Sequence, residues 1–335
     1  MAFTVGLIGA GYFASYHADA WARIPGAHLA AVADRDKAKA AALGPAFTDA
    51  DDMMARVCPD IVDIATPSST HLAMIHAALA RRPRAIICQK PFCADLHEAE
   101  HAANLAADAD VPLIVHENFR FQPWYRTLKR LIAGGSLGHV HQLHFRFRTG
   151  DGRGADAYSA RQPYFREMPR FLIHETGIHW IDTFRFLLGE PQAISADLRR
   201  INPVIAGEDA GSFTFHYASG TRATFDGDRT LDAGAKDPRL TFGTLLLEAE
   251  AASIRLDTDG SLHRRAFGGR DWIEIGAPVA AQGFAGDCVH ALQSHVVSAL
   301  AGKGSLENTA RAYLRNLVLE EAIYAANRTR RTVRL

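Results

Sequence analysis

Lys90 directly follows an apolar run, AIICQ, and precedes a proline. An amine there closes a buried strand on the side where ligands collect, and partial desolvation favours its neutral form, which suits proton transfer. Glu175 and His179, within HETGIHWID, are four residues apart, so on an α-helix they share one face, with Asp182 a turn further on. Such a pair is equipped to handle a proton, although the same spacing also serves surface and helix-end contacts.

A third group of residues has the geometry for phosphate. Gly9, Gly11 and Ala14 form the turn GAGYFA, with Tyr12 and Phe13 between them, set between a strand pattern and a helix pattern. Two glycines allow a tight turn and close approach of the backbone to a pyrophosphate at the helix N-terminus. A GxGxxA turn alone only joins a strand to a helix, and Asp34, closing the next apolar run, adds the discriminating feature. A carboxylate there accepts hydrogen bonds from both ribose hydroxyls of NAD, whereas the 2′-phosphate of NADP meets a like charge. At about 4 Å that repulsion is on the order of several kcal/mol before screening, so NAD is the expected cofactor and NADP is disfavoured, with the adjacent Arg35 softening the preference. Thr66 and Pro67 (with His71 just beyond), Gln89 and Lys90, and Asn118 end three further apolar runs and complete the expected cofactor contacts. Ser69 or Thr70 is expected to cap the helix that follows.

These residues need a frame. Apolar runs near 3–9, 29–34, 61–66, 85–90 and 113–118 alternate with helical patterns near 12–24, 36–44, 49–56, 70–81 and 95–109. Strand then helix, five times over, predicts a doubly wound parallel sheet whose ligands sit beyond the carboxyl ends of the strands. From about Ala193 the texture becomes alternating strands (212–217, 221–226, 241–250) joined by Gly and Asp turns, an antiparallel pattern. Helices are expected near 121–134, 174–188, 284–301 and 306–327. The boundary near 118–122 gives two domains, 1–120 and 121–335, and an overall α/β class with a large, mostly antiparallel, open second sheet. If one face of that sheet is apolar and exposed, the chain should self-associate as a homodimer or homotetramer. Between Gly150 and Arg170 lies a long segment rich in Gly, Pro, Arg and Tyr, of the kind that is functional or mobile.

With 335 residues, 48% of them hydrophobic, the chain can bury a full core, and 37 basic against 37 acidic residues leave no net field for nucleic acid. The first apolar stretch has no positive leader and runs into a turn, and no apolar run reaches the roughly 18 residues of a membrane span. Cys58, Cys88, Cys93 and Cys288 have no metal-site spacing, so no metal is expected and a reduced, cytoplasmic protein is.

Taken together, GAGYFA, Asp34, ATPSSTH, QKP at 89–91, NFRFQPWY at 118–125 and HETGIHWID at 174–182 resemble the glucose-fructose oxidoreductase, inositol dehydrogenase and MocA family over essentially the whole chain. The resemblance implies a Rossmann domain followed by an α/β domain whose open sheet supports oligomers. It implies a cis bond before Pro91, with Lys90 reaching the nicotinamide ribose and the substrate hydroxyl. Two positions depart from the family pattern: Gln89 stands for its Glu, removing a carboxylate beside Lys90, and Glu175 stands for its Asp. NFRFQPWYR and the stretch from Arg161 to Pro191 are similar to the D-apiose dehydrogenase-like subgroup, which oxidises a branched pentose to its lactone, with other aldoses and inositols open.

The activity so implied is NAD-dependent oxidation of a hydroxyl on a small sugar or polyol, with hydride passing to nicotinamide C4. His179 is the expected base, Lys90 holds the same hydroxyl, and Glu175 either orients His179 or touches substrate; Lys90 as base is the reverse assignment. Arg120, Tyr158, Arg161, Tyr164, Arg170 and His174 are the expected substrate contacts, because a polyol needs many donors and acceptors. Trp124, Tyr125 and Phe171 read as core or walls. Two other classes stay open: a dinucleotide-binding sensor or co-repressor without turnover, and a glycoside hydrolase that uses bound NAD in a transient redox step.

Overall fold

The computed structural model describes residues 2–279 and 282–335. Their contacts divide the chain into two units, Met1–Asn118 with Asp287–Leu317, and Phe119–Gly286 with Val318–Leu335.

The first unit is built on six parallel strands: β1 (Phe3–Ile8), β2 (Ala27–Ala33), β3 (Ala46–Phe47), β4 (Ile61–Ile64), β5 (Ala85–Gln89) and β6 (Leu113–His116), in the order β3-β2-β1-β4-β5-β6. This is the doubly wound order, with the reversal between β1 and β4. Strands β4, β5 and β6 are buried along their whole length, as a sheet covered on both faces requires. The crossovers carry α1 (Ala14–Arg23), α2 (Lys37–Ala41), α3 (Ala50–Val57), α4 (His71–Leu79) and α5 (Leu96–Asp108). Asp36, Asp49 and Asp95 cap α2, α3 and α5 with their side chains. Thr70 takes the cap position of α4 but its side chain does not cap it; its backbone is already helical there, and its hydroxyl lies 2.8 Å from Thr66 Oγ1 and 2.7 Å from Pro67 O.

The sequence reading gives everything after residue 120 to the second domain, yet Asp287–Leu317 packs with the first unit. In this stretch α8 (Cys288–Leu300) lies against α1, and Arg23 is bidentate to Asp287 at 2.7 and 2.6 Å. Asn308 takes the Val115 N–H of β6 at 2.8 Å and donates to Glu117 O at 2.6 Å.

The second unit contains α6 (Pro123–Ala133), β7 (Val140–Arg148), α7 (Ile178–Leu188), β8 (Ala193–Arg199), β9 (Ala210–His216), β10 (Arg222–Asp228), β11 (Gly243–Ala249), β12 (Ala252–Leu256), β13 (Leu262–Ala266) and β14 (Ile273–Gly276). The last long helix, α9 (Ala310–Thr329), ends in this unit and is followed by β15 (Val333–Arg334). The nine strands run β14-β13-β12-β11-β7-β10-β9-β8-β15, with every pair antiparallel except β7 and β10. Alternate residues Phe145, Phe147, Phe213, Phe215 and Phe225 are buried around Trp180 and Phe184 of α7. The residues between them are Arg146, Ser212, Thr214, Thr224 and Asp226, so in these strands one face is apolar, as expected, but it is covered by α7, and the other is polar.

Candidate active site

In the first unit the expected cofactor residues gather at the carboxyl ends of the strands, and the two glycines of the turn are there for different reasons. Gly9 has φ +100°, and a Cβ there would lie 2.7 Å from Ala65 O, so the fold itself demands glycine. At Gly11 a Cβ would meet no protein atom within 4 Å. Packing does not require that glycine, and the open space beside it admits close approach by a group from outside. Phe13 stands at the cap of α1 without a side-chain cap, so the first turn suits an anion. Asn118 is buried, and its amide nitrogen has no hydrogen-bond partner among the described residues. A spare buried donor, an open glycine and an uncapped helix start fit a dinucleotide.

Asp34 ties the end of β2 to this turn, accepting the Ala10 N–H at 2.7 Å on one oxygen and the Asp36 N–H at 2.8 Å on the other. Tyr12 is exposed, its hydroxyl 3.1 Å from that of Tyr16, and Arg35 is exposed beside Asp34. Thr66 accepts from Thr70 and Pro67 is exposed at the mouth of the same turn.

His71, expected among the cofactor contacts, is instead completely buried. The Cys93 N–H donates to its Nδ1 at 3.3 Å, which leaves Nε2 to donate to Thr66 O at 2.8 Å. Burial pushes the imidazole below the ordinary histidine range despite the bond to Thr66. His71 joins the end of β4 to the loop after Lys90 and has no ring nitrogen left for a ligand.

The Lys90–Pro91 peptide bond is cis, as the family resemblance implied. Gln89 is buried, its oxygen accepting the Lys90 backbone N–H at 2.7 Å and its nitrogen 3.1 Å from His17 Nε2. Both ends of the amide are therefore used inside the fold, so the change from the family Glu acts first on a buried contact.

In the second unit, His174 and Glu175 do not lie on an α-helix. Leu172–Gly177 is wound as a π-helix that passes into α7 at Ile178. Its wider turn alters the shared face expected of Glu175 and His179, and π turns occur often at functional sites. Glu208 holds the start of this turn, accepting the N–H groups of Phe171 at 3.2 Å and Ile173 at 3.1 Å and the Tyr324 hydroxyl at 2.6 Å. His174 Nδ1 is 2.7 Å from Glu320 of α9. His179 is buried, with its ring stacked on Phe119.

The long segment from Gly150 to Arg170 is rooted by Arg229, a residue sequence reading passes over. Its guanidinium is buried among Phe147, Tyr158, Phe165 and Phe171, at 4.3 Å from the Phe171 ring. It donates to both Asp151 oxygens at 3.4 Å, to Tyr158 OH at 3.3 Å and to the Thr176 hydroxyl. Burial works against the charge, but Asp151, Tyr158 and Glu175 hold Arg229 more firmly protonated than usual.

Three expected substrate contacts have partners within the fold. Tyr158 is buried at φ +65°, donates to Asp151 at 3.0 Å and packs against Phe165 and Phe171. Arg120 is bidentate to the buried Asp182 at 2.7 and 2.6 Å, which secures α7. Arg170 pairs with Glu321 and lies over Tyr324. Arg161 and Tyr164 remain exposed, together with the half-buried His174 and Glu175. The packing of the Tyr164 ring and then the Glu175 carboxylate raise its phenol above the ordinary range. Trp124, Tyr125 and Phe171 are core, as expected.

Comparison with known proteins agrees with this architecture. The family described as "Oxidoreductase family, NAD-binding Rossmann fold" matches residues 3–117, and the GFO/IDH/MocA C-terminal domain matches residues 125–244. A D-apiose dehydrogenase of Paraburkholderia graminis is 33% identical over 99% of this chain and 90% of its own length. Inositol 2-dehydrogenase of Rhizobium meliloti is 30% identical over 70% of this chain and 71% of its own. Among solved structures, an oxidoreductase from Agrobacterium radiobacter in complex with NAD+, L-tartaric acid and magnesium superposes with a TM-score of 0.89 at 29% identity, covering 100% of this chain and 98% of that one.

Proposed function

The chain belongs to the GFO/IDH/MocA family of oxidoreductases, and from that footing we propose that its substrate is a branched aldopentose of the D-apiose type, oxidised to the lactone. The coarser activity is that of an NAD-dependent dehydrogenase acting on a CH–OH group of a sugar or polyol. The observation that carries the finer reading is the near full-length match to D-apiose dehydrogenase, against partial coverage of the inositol enzyme.

NAD, when bound, supplies the hydride acceptor at nicotinamide C4. Gly9, Gly11 and Ala14 cradle its pyrophosphate, Asp34 its ribose, and Thr66 and Asn118 the edges beyond. His179 takes the hydroxyl proton, helped by a ring plane set by Phe119, and Lys90 donates to the hydroxyl oxygen as negative charge grows there. Glu175, His174, Arg161 and Tyr164 supply polar contacts to the remaining hydroxyls.

The assay is NADH absorbance with NAD or NADP and a panel of D-apiose, other aldoses and inositols, with Lys90→Met and His179→Ala as controls. Turnover of D-apiose with NAD that both variants lose supports the reading. Preference for an inositol moves the substrate to a polyol, and tight NAD binding without any turnover moves the protein to the sensor class. Release of a sugar without net NADH would mark a redox-assisted hydrolase.

The four cysteines are unpaired thiols, which supports a reducing cytoplasm, and no helix among the described residues is long and apolar enough to cross a membrane. Self-association as a homodimer or homotetramer rests on the family resemblance, and light scattering that finds only monomer at micromolar concentration overturns it.

A further inference from the structure

Beneath the turn that carries Lys90 runs a row of buried side chains contributed by four elements of the first unit. Asp63 lies within β4 and is completely buried. Its Oδ2 accepts from Trp21 Nε1 at 2.7 Å and Gln293 Nε2 at 3.4 Å and stands 2.8 Å from His17 Nδ1; its Oδ1 has no partner among the described residues. On its far side His17 Nε2 is 3.1 Å from Gln89 Nε2, and Gln89 Oε1 accepts the Lys90 backbone N–H.

The roles along this row are forced from both ends. A backbone N–H only donates, so the atom of Gln89 that faces Lys90 is its oxygen, and the atom that faces His17 is the NH2 group, which also only donates. His17 Nε2 must then accept, its single proton sits on Nδ1, and that proton is given to Asp63. One buried negative charge, on Asp63, is met by three donors, and every other member of the row is neutral.

We propose that Gln89 and His17 are positioning residues, a neutral hydrogen-bond relay that anchors the Lys90 turn to Asp63 and comes apart when His17 takes a second proton. The inference rests on the dehydrogenase reading only for the consequence that Lys90 serves catalysis. A proton on Nε2 sets donor against donor. Turning the amide over to meet it sets the NH2 group against the Lys90 N–H, so one link is lost either way. A glutamate at 89 removes the conflict, because a carboxylate accepts from both sides, and it holds His17 as an imidazolium between two carboxylates. The other groups that face His17 are His116 of β6, whose ring centroid is 4.1 Å away, and Phe13, edge-on at 5.6 Å; Trp21 and Gln293 act on it through Asp63.

Nitrogen-15 NMR of the assigned histidine side chains in the full chain tests the relay directly. Wild-type His17 at neutral pH should show the neutral tautomer with Nδ1 protonated, and Gln89→Glu should show both nitrogens protonated. Wild-type His17 protonated on Nε2, or unchanged signals in folded Gln89→Glu, would overturn the relay. With NADH formation as the second readout, Gln89→Glu, in which the protonated His17 keeps both partners, should remove the acid limb of kcat/KM that His17 sets in wild type. His17→Phe, which cannot take the proton, should lower kcat while removing that limb. An acid limb that stays in place in both folded variants rejects the positioning role. The NMR result stands without turnover, so an inactive protein with the expected tautomer retains the relay and rejects the dehydrogenase reading instead.

Discussion

The Phe119 ring lies flat on the His179 imidazole, with centroids 3.8 Å apart and planes 3° from parallel. Phe119 opens the short 3-10 turn Phe119–Phe121, while His179 sits in the first turn of α7. A helix backbone alone leaves the imidazole a choice of rotamers, and a face-to-face aromatic neighbour removes it.

Replacing Phe119 by Leu should therefore let the imidazole turn without removing it. Misplacement of this kind lowers kcat by roughly tenfold to a hundredfold. Steady-state kinetics beside an NAD titration checks it: NAD affinity should stay within about twofold, because the first unit holds the dinucleotide residues. Equal losses in both quantities would show general damage instead.

The two glycines of the first turn should respond in opposite ways. Gly9→Ala places a Cβ against Ala65 O at a φ of +100°, so the folded state should lose roughly 1–3 kcal/mol. Gly11→Ala meets open space and should melt within about 2 °C of wild type while binding NAD at least tenfold more weakly. Thermal melts paired with calorimetric titration separate the two, and normal NAD affinity in Gly11→Ala would remove the pyrophosphate from that turn.

Asp151→Asn leaves the buried Arg229 without its carboxylate. A fully buried pair broken from one side costs about 3–5 kcal/mol, but Asp151 is 29% exposed, so solvent screening reduces the expected loss to about 1–3 kcal/mol. Urea unfolding should read that loss, and limited proteolysis should find new cleavage between Gly150 and Arg170. An uncleaved segment would mean that Arg229 does not root it.

His71 makes stability depend on pH with a definite sign. Burial lowers its pKa in the folded chain below the ordinary 6.5, so the unfolded chain binds a proton that the folded chain refuses. Its contribution is fully present above about pH 6.5 and is lost as the pH falls towards the lower folded value. Urea midpoints at pH 7.5 and 5.5 should differ less for His71→Gln, which keeps a donor for Thr66 O and an acceptor for Cys93 N–H, than for wild type.

The first unit was legible in the chain because its signals are local. Strand and helix runs alternate, and the candidate site residues Gly9, Gly11, Asp34, Gln89 and Lys90 each stand at or just past the end of an apolar run. Other features depend on partners far away in sequence. His71 lies in a motif that resembles a ligand loop, yet Cys93 occupies one ring nitrogen and Thr66 is taken by the other. Arg229, at the end of β10, reads as one more surface cation until the aromatic rings of residues 147–171 close around it. β7 has no plain strand signature, because His, Gln and Arg fill its outward positions. The return of Asp287–Leu317 to the first unit has no local marker, since an amphipathic helix does not state which surface it will cover.

The rooting of the Gly150–Arg170 segment also bears on how such a protein acquires a new diet. Asp151 and Tyr158 bond to Arg229, whereas Arg161 and Tyr164 are exposed. Arg161 reaches the root only through a half-exposed contact with Asp151 at 3.5 Å, so substitutions in that outer crown should cost folding little, and selection can sample different polar side chains there while the root stays intact. Divergence among relatives that act on different carbohydrates should then concentrate in the crown, and a laboratory library confined to it should yield altered preferences without a large toll of unfolded variants.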